Sequence, residues 1–261
     1  MGIRVSRIRA WLDASPIADL ALAMMREATG RADPVEPLTP TRPAALPARR
    51  RIALWSLVGG VGASTTAALI AHRSAAAGRA ALLIDLDRWA PSLALRAGIE
   101  AATIADALVQ PGRERALVSR WAAIPFVPGA PELRGRLDVA RALDVIDTIG
   151  GDSPVVIDLG SGAEALDAML VSRIDRLCIV AGHRASQLQA LFCARSLIRD
   201  APCPAGLVVT GAADADAALI AERAGIPLLG AIPQDAYLAD DQFATRAPTL
   251  RAIDALIRRI A

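Results

Sequence analysis

From Arg51 onward, short apolar runs alternate with stretches in which apolar residues recur every three or four positions. The runs "RIALWSLV", "AALLIDLD", "AAIPFVPG", "SPVVIDLGSG", "RLCIVAG", "AGLVVTG" and "PLLGAIP" predict strands. They lack the polar alternation of a half-exposed sheet, so both of their faces should be covered. Residues 64–77, 102–109, 137–150, 185–199, 214–224 and 248–260 carry the helical period. Strands and helices in this alternation build an α/β fold, a doubly wound and mostly parallel sheet flanked by helices, with ligands at the carboxyl ends of the strands. A hydrophobic content of 54% over 261 residues supplies a sizeable core.

Upstream, Ile8, Trp11, Leu12, Ile17, Leu20, Met24 and Met25 fall close to helical spacing, with Pro16 opening a second stretch after Ser15. Residues 1–30 therefore read as an amphipathic helical segment. Residues 31–48, "RADPVEPLTPTRPAALPA", hold five prolines and no period, as expected of an extended linker. The main domain is accordingly expected over 49–261. Arg4, Arg7 and Arg9 suit an anionic membrane surface, but Asp13, Asp19 and Glu27 dilute them, which favours docking to a partner or to the chain itself over membrane contact.

With no apolar run of about 18 residues and no leader-like stretch, the expected location is cytoplasmic, compatible with recruitment to a membrane-associated complex. A net charge of +2 gives no case for nucleic acid. Cys178, Cys193 and Cys203 are widely spaced and read as buried thiols rather than a disulfide or zinc framework. One compositional fact changes the picture more. All 29 basic residues are arginine, so no chemistry that requires lysine is open to this chain.

The stretch "LWSLVGGVGASTTAALIAHR" at 54–73 joins a strand to a helix through glycines. Gly59, Gly60 and Gly62 allow a tight turn with amides pointing inward, and the next helix offers its positive end to an anion. Val61 and Ala63 complete the loop, and the hydroxyls of Ser64 and Thr65 open the helix, where they can cap it, meet phosphate or hold magnesium. Two readings compete. A dinucleotide fingerprint uses Gly60, Gly62 and Asp85, but Thr65 replaces its third glycine; a nucleoside-triphosphate loop fits the Ser-Thr pair, but Ala63 stands where its lysine belongs.

Motifs elsewhere in the chain resemble the MinD/ParA family of deviant Walker ATPases, and within it the CpaE/TadZ pilus-assembly branch, over residues 50–261. The loop Val58-Gly59-Gly60-Val61-Gly62-Ala63-Ser64-Thr65 is similar to that family's Lys-Gly-Gly-x-Gly-Lys-Thr-Thr with both lysines gone. "LLIDLDRWAPSLALRAGI" resembles the second motif, which implies that Asp87 positions the attacking water, or couples to a switch, with Asp85 beside it. "PVVIDLGSG" resembles the Walker B strand, implying Mg2+ held by Ser64 and by Asp158, through a water, with Asp85 nearby and 160–162 as a second switch. Thr210 stands where the family has an adenine-reading asparagine, and Pro233 in "LLGAIPQDAYLADD" belongs to a segment that packs near the base. The resemblance implies ATP or ADP with Mg2+ as cofactors, and a homodimer or protein partners in a larger assembly.

The lost lysine acts mainly in the transition state of phosphoryl transfer, so its absence predicts surviving binding with weak or lost hydrolysis. The resemblance further implies that Val58 cannot supply the charge that reaches a dimer partner's phosphate. A pseudo-ATPase that positions or scaffolds a larger machine, such as a Tad-type pilus, is one expectation. An active ATPase using an arginine is another, with Arg88 as the nearest candidate in sequence. A dinucleotide-dependent oxidoreductase is the reading from another class, although His72, His183 and Tyr237 offer no evident hydride-transfer acid.

Overall fold

The structure, a computed structural model, describes residues 42–133, 137–238 and 245–261. The expected helical segment 1–30 and linker residues 31–41 lie outside the described residues, as do Asp240 and Asp241.

Eight strands form one sheet in the order β3-β4-β2-β5-β1-β6-β7-β8. Their ranges are β1 Arg51–Ser56, β2 Leu82–Asp85, β3 Ser119–Trp121, β4 Ile124–Val127, β5 Val155–Ser161, β6 Arg176–Gly182, β7 Ala205–Thr210 and β8 Leu228–Ile232. Every neighbouring pair is parallel except β3–β4. The continuous apolar runs have a direct cause. Along β1, Ile52 and Leu54 join one core while Ala53 and Trp55 join the other, and all four are fully buried. Successive side chains point to opposite faces, and helices cover both.

The helices are α1 Ala63–Ala76, α2 Leu93–Ala97, α3 Ile104–Val109, α4 Val139–Gly150, α5 Ala168–Val171, α6 Ala185–Cys193, α7 Arg195–Arg199, α8 Asp214–Ala224 and α9 Ala247–Ile260. α1 and α9 share one core, whereas α3, α4, α6, α7 and α8 contribute to the other. β1 sends its connection through α1 toward β2 on one side, and β6 sends its own toward β7 on the other. The gap between the carboxyl ends of β1 and β6 is therefore the sheet's switch point, the place where open α/β sheets take ligands.

Several expectations shift. "AAIPFVPG" holds only β4, and the chain turns at Ala122 (φ 51°) out of an antiparallel strand, β3, that the apolar pattern did not reveal. The single helix expected over 185–199 is two, and α2 and α5 are too short to display a period. Cys178 is buried, and its thiol is pushed up to about 12 by desolvation; Cys193 is instead exposed.

The packed unit also begins before Arg49. Leu46 is fully buried in the α1/α9 core, and its amide donates to Ser74 Oγ at 3.1 Å. The Ala44 amide donates to Asp254 Oδ1 at 3.0 Å, beside the Arg73–Asp254 ion pair at 2.5 Å. The five prolines suppress periodicity, which hid the fact that a leucine between them reaches the core. Leu46→Ala is expected to destabilise the domain by about 2–5 kcal/mol, as cavities in cores do. Denaturant unfolding checks this, and a change below about 0.5 kcal/mol, typical of surface sites, would return the segment to the linker.

Candidate functional site

β1 ends at Ser56, and the loop that follows needs glycine where it bends. Gly60 and Gly62 hold φ of 77° and 94°, the left-handed region that side chains disfavour. Gly62 is the N-cap of α1, which has no side-chain cap and no acidic residue in its first turn. The Thr66 amide is the first to bond back, to Gly62 O at 2.9 Å. The amides of 63–65 thus form an uncapped, positively polarised helix end facing the loop. Gly59 and Gly60 are exposed, Val61 and Ala63 are buried, and Ser64 and Thr65 are half-buried.

Beside this helix end lie three carboxylates. Asp85 at the end of β2 and Asp158 in β5 are register partners on adjacent strands, each fully buried. Asp85 Oδ1 accepts the Asp87 amide at 3.0 Å and Oδ2 accepts the Leu93 amide at 3.4 Å. Burial raises the Asp85 carboxyl well above the usual carboxylate range, and the neighbouring charges of Asp158 and Asp87 add to it. Burial likewise pushes Asp158 up to about 6, against the pull of the Ser64 hydroxyl and the Gly160 amide. Asp158 Oδ1 accepts that amide at 3.0 Å, while Oδ2 is buried with no hydrogen-bond partner. Ser64 is near enough to lower the carboxyl's pKa, yet its geometry leaves Oδ2 without a hydrogen bond.

Asp87 heads the loop after β2 and caps it, Oδ1 accepting the amides of Trp89 at 2.8 Å and Ala90 at 3.0 Å. It lies against Gly160, where an added Cβ would come within 2.3 Å of Asp87 Cγ. Gly160 is therefore required by close approach as well as by its φ of 70°. The two loops meet a second time where Trp89 Nε1 donates to Glu164 Oε1 at 2.6 Å. On the far side, Thr210 Oγ1 donates to Val61 O at 2.7 Å. Pro233 follows Ile232, the register partner of Thr210 in β8.

The fold thus gathers the sequence-predicted residues at one edge. Gly59 through Thr65, Asp85, Asp87 and Asp158 surround the end of β1 and the start of α1, and Thr210 touches the loop itself. Its hydroxyl holds a loop carbonyl, a structural contact that the motif comparison did not foresee. Arg88 makes no hydrogen bond or ion pair among the described residues. Arg96 was not singled out, yet its Nη1 donates to Thr65 Oγ1 at 3.0 Å. Only the fold-back of α2 brings it there, and no local pattern marks it.

No family model matches the chain. Two uncharacterized proteins of Mycobacterium tuberculosis, Rv3660c and MT3760, are each 35% identical over 201 residues, covering 70% of this chain and 54% of the relative. The chain therefore spans about half the length of the curated relatives it matches. Among solved structures, the septum site-determining protein MinD complexed with Mg-ADP, from Pyrococcus horikoshii, superposes with a TM-score of 0.66 at 21% identity, covering 80% of this chain and 94% of that one. A ParA family ATPase from Chlorobium tepidum gives 0.67 at 18%, covering 80% and 99%. The MinC:MinD cell division protein complex of Aquifex aeolicus gives 0.64 at 18%, covering 80% and 94%. The architecture is that of the MinD/ParA P-loop ATPases.

A raised native pKa means that the folded state holds a proton the unfolded chain has lost. For Asp158 the penalty is absent below the ordinary carboxylate range, grows as pH rises toward about 6 and is complete above it. Asp158→Asn is therefore expected to stabilise the metal-free protein at pH 8 by up to about 3 kcal/mol, at about 1.36 kcal/mol per pKa unit, and by little at pH 4. Urea unfolding in a chelator at both pH values measures it, and equal effects at the two would contradict the assignment.

Proposed function

We propose that this chain binds ATP or ADP with Mg2+ on the loop 57–65, hydrolyses it slowly or not at all, and uses the bound state to position or scaffold protein partners. The observation that carries the reading is Asp158 Oδ2, a buried carboxylate oxygen without a partner at the uncapped head of α1. Buried charge is ordinarily paired or metal-bound, and a phosphate entering beside three aspartates needs a cation between them. Ser64 and Asp158 are the residues that would hold Mg2+, with Asp85 behind them. No three His, Cys, Asp or Glu side chains are arranged to hold a metal among the described residues. Mg2+ usually takes phosphate and water oxygens to complete its shell. When bound, the ion supplies the counter-charge for the phosphates.

Hydrolysis is a separate matter. Ala63 cannot neutralise charge on a departing phosphoryl group, while Asp87 has Oδ1 held by the Trp89 and Ala90 amides and would have only Oδ2 to orient a water. The loops carrying Asp87 and Gly160 are nonetheless in contact, so a bound nucleotide can be reported to both. Glu164 and Trp89 would then be the readout for a partner. The horikoshii MinD binds Mg-ADP and the Aquifex MinD assembles with MinC, which supports a nucleotide and protein partners here; the CpaE/TadZ-like role at a Tad-type pilus is the finer form of the proposal. A nicotinamide dinucleotide gives Ser64 and Asp158 no task.

Equilibrium binding of ATP with and without Mg2+, beside single-turnover hydrolysis, tests the reading. Ala63→Lys is expected to tighten ATP binding by about 10- to 150-fold, the worth of a charge-assisted contact. Ser64→Ala is expected to remove most of the Mg2+ dependence while leaving the fold intact. If neither variant alters affinity, the loop is not a phosphate site; rapid turnover by the unaltered chain would show that hydrolysis survives.

A further inference from the structure

Resting on the nucleotide reading above, we infer that Arg96 is the cation that meets the bound phosphates in place of the lysine absent from position 63. Its position is fixed from behind. Leu93 is fully buried, and its amide donates to Asp85 Oδ2 at 3.4 Å, anchoring the start of α2 at the end of β2. The Arg96 amide bonds Ser92 O at 3.1 Å, and Gly98 (φ 62°) closes the helix. The half-buried side chain then reaches Thr65, two residues beyond Ala63 in the first turn of α1.

Two features separate this arginine from a simple tie between helices. A guanidinium carries five N–H donors, and the Thr65 hydroxyl is the one hydrogen-bond partner of the Arg96 side chain among the described residues. It also forms no ion pair among them, although Asp85, Asp87 and Asp158 cluster at the same edge of the sheet. Half-buried Arg73 and Arg141 are matched with Asp254 and Glu114, each at 2.5 Å; half-buried Arg50 and Arg176 form no ion pair either, but they stand at the amino ends of β1 and β6, away from the loop. A partly desolvated charge beside an uncapped helix N-terminus, left unmatched, is placed for an anion. The planar fork suits phosphate oxygens. Arg96 enters from α2 rather than from the loop, so the charge is restored without the lysine's position over the departing group. Binding would be rescued more than turnover.

The test uses the full chain, Mg2+ and ATP, and compares Arg96→Gln with Arg96→Lys. Both retain a donor toward Thr65, and only lysine retains the charge. The expected result is an affinity loss of about 10- to 150-fold for Arg96→Gln, a much smaller loss for Arg96→Lys, and a weaker dependence of binding on ionic strength in the glutamine variant alone. Thermal unfolding should be alike for the two. Equal affinities of the two variants, or an Arg96→Gln protein that binds as the unaltered chain does, would overturn the assignment and leave the nucleotide site standing. Failure of the unaltered chain to bind ATP would instead remove both.

Discussion

Two carboxylates buried side by side set the terms for the rest of the site. Asp85 and Asp158 are register partners on adjacent parallel strands, neither exposed to solvent. Burial is the main reason that both carboxyls are raised, and the charge of Asp158 adds to the effect on Asp85. The surroundings are arranged around that cost. Backbone amides of Asp87, Leu93 and Gly160 satisfy three of the four oxygens. The fourth, Asp158 Oδ2, is buried without a hydrogen-bond partner. The same amides carry the geometry outward: the first shapes the loop that holds Asp87, the second starts α2, and the third bends the chain where it passes Asp87.

On the proposed reading, that arrangement explains how a phosphate cradle can stand without a lysine at position 63. Cradle and lysine depend on different parts of the molecule. The cradle follows from positive-φ glycines, an uncapped helix and a buried sheet edge, all of which are properties of the fold. The lysine is one side chain whose principal contribution falls in the transition state. On that reading, its absence would separate recognition from turnover. A protein that responds to a bound nucleotide through Asp87, Gly160, Trp89 and Glu164 needs only the former.

Much of the fold was legible because the sheet is covered on both faces, so its strands stand out as unbroken apolar runs. β3 was hidden because Ser119–Trp121 is short and polar at an edge, and α2 and α5 because four or five residues hold no period. Leu46 was obscured by its prolines. The loop was readable from its glycines, and Asp85, Asp87 and Asp158 because each is an acid within or just after an apolar run. Arg96 was not, because its closeness to Thr65 depends on the return of α2, which Asp85 anchors through a backbone amide. Arg88 is the nearer candidate along the chain, but it makes no hydrogen bond or ion pair among the described residues, whereas Arg96 reaches Thr65.

On the proposed reading, the glycine loop and the orphaned Asp158 oxygen hold an adenine nucleotide. Mass spectrometry of small molecules released by denaturing the purified protein, taken directly and after incubation with Mg-ATP and removal of excess, addresses it without assuming turnover. Release of ATP or ADP approaching one per chain, diminished by a chelator, is the predicted result. Recovery of NAD or NADP instead, or of no adenine nucleotide under either condition, would rule this out.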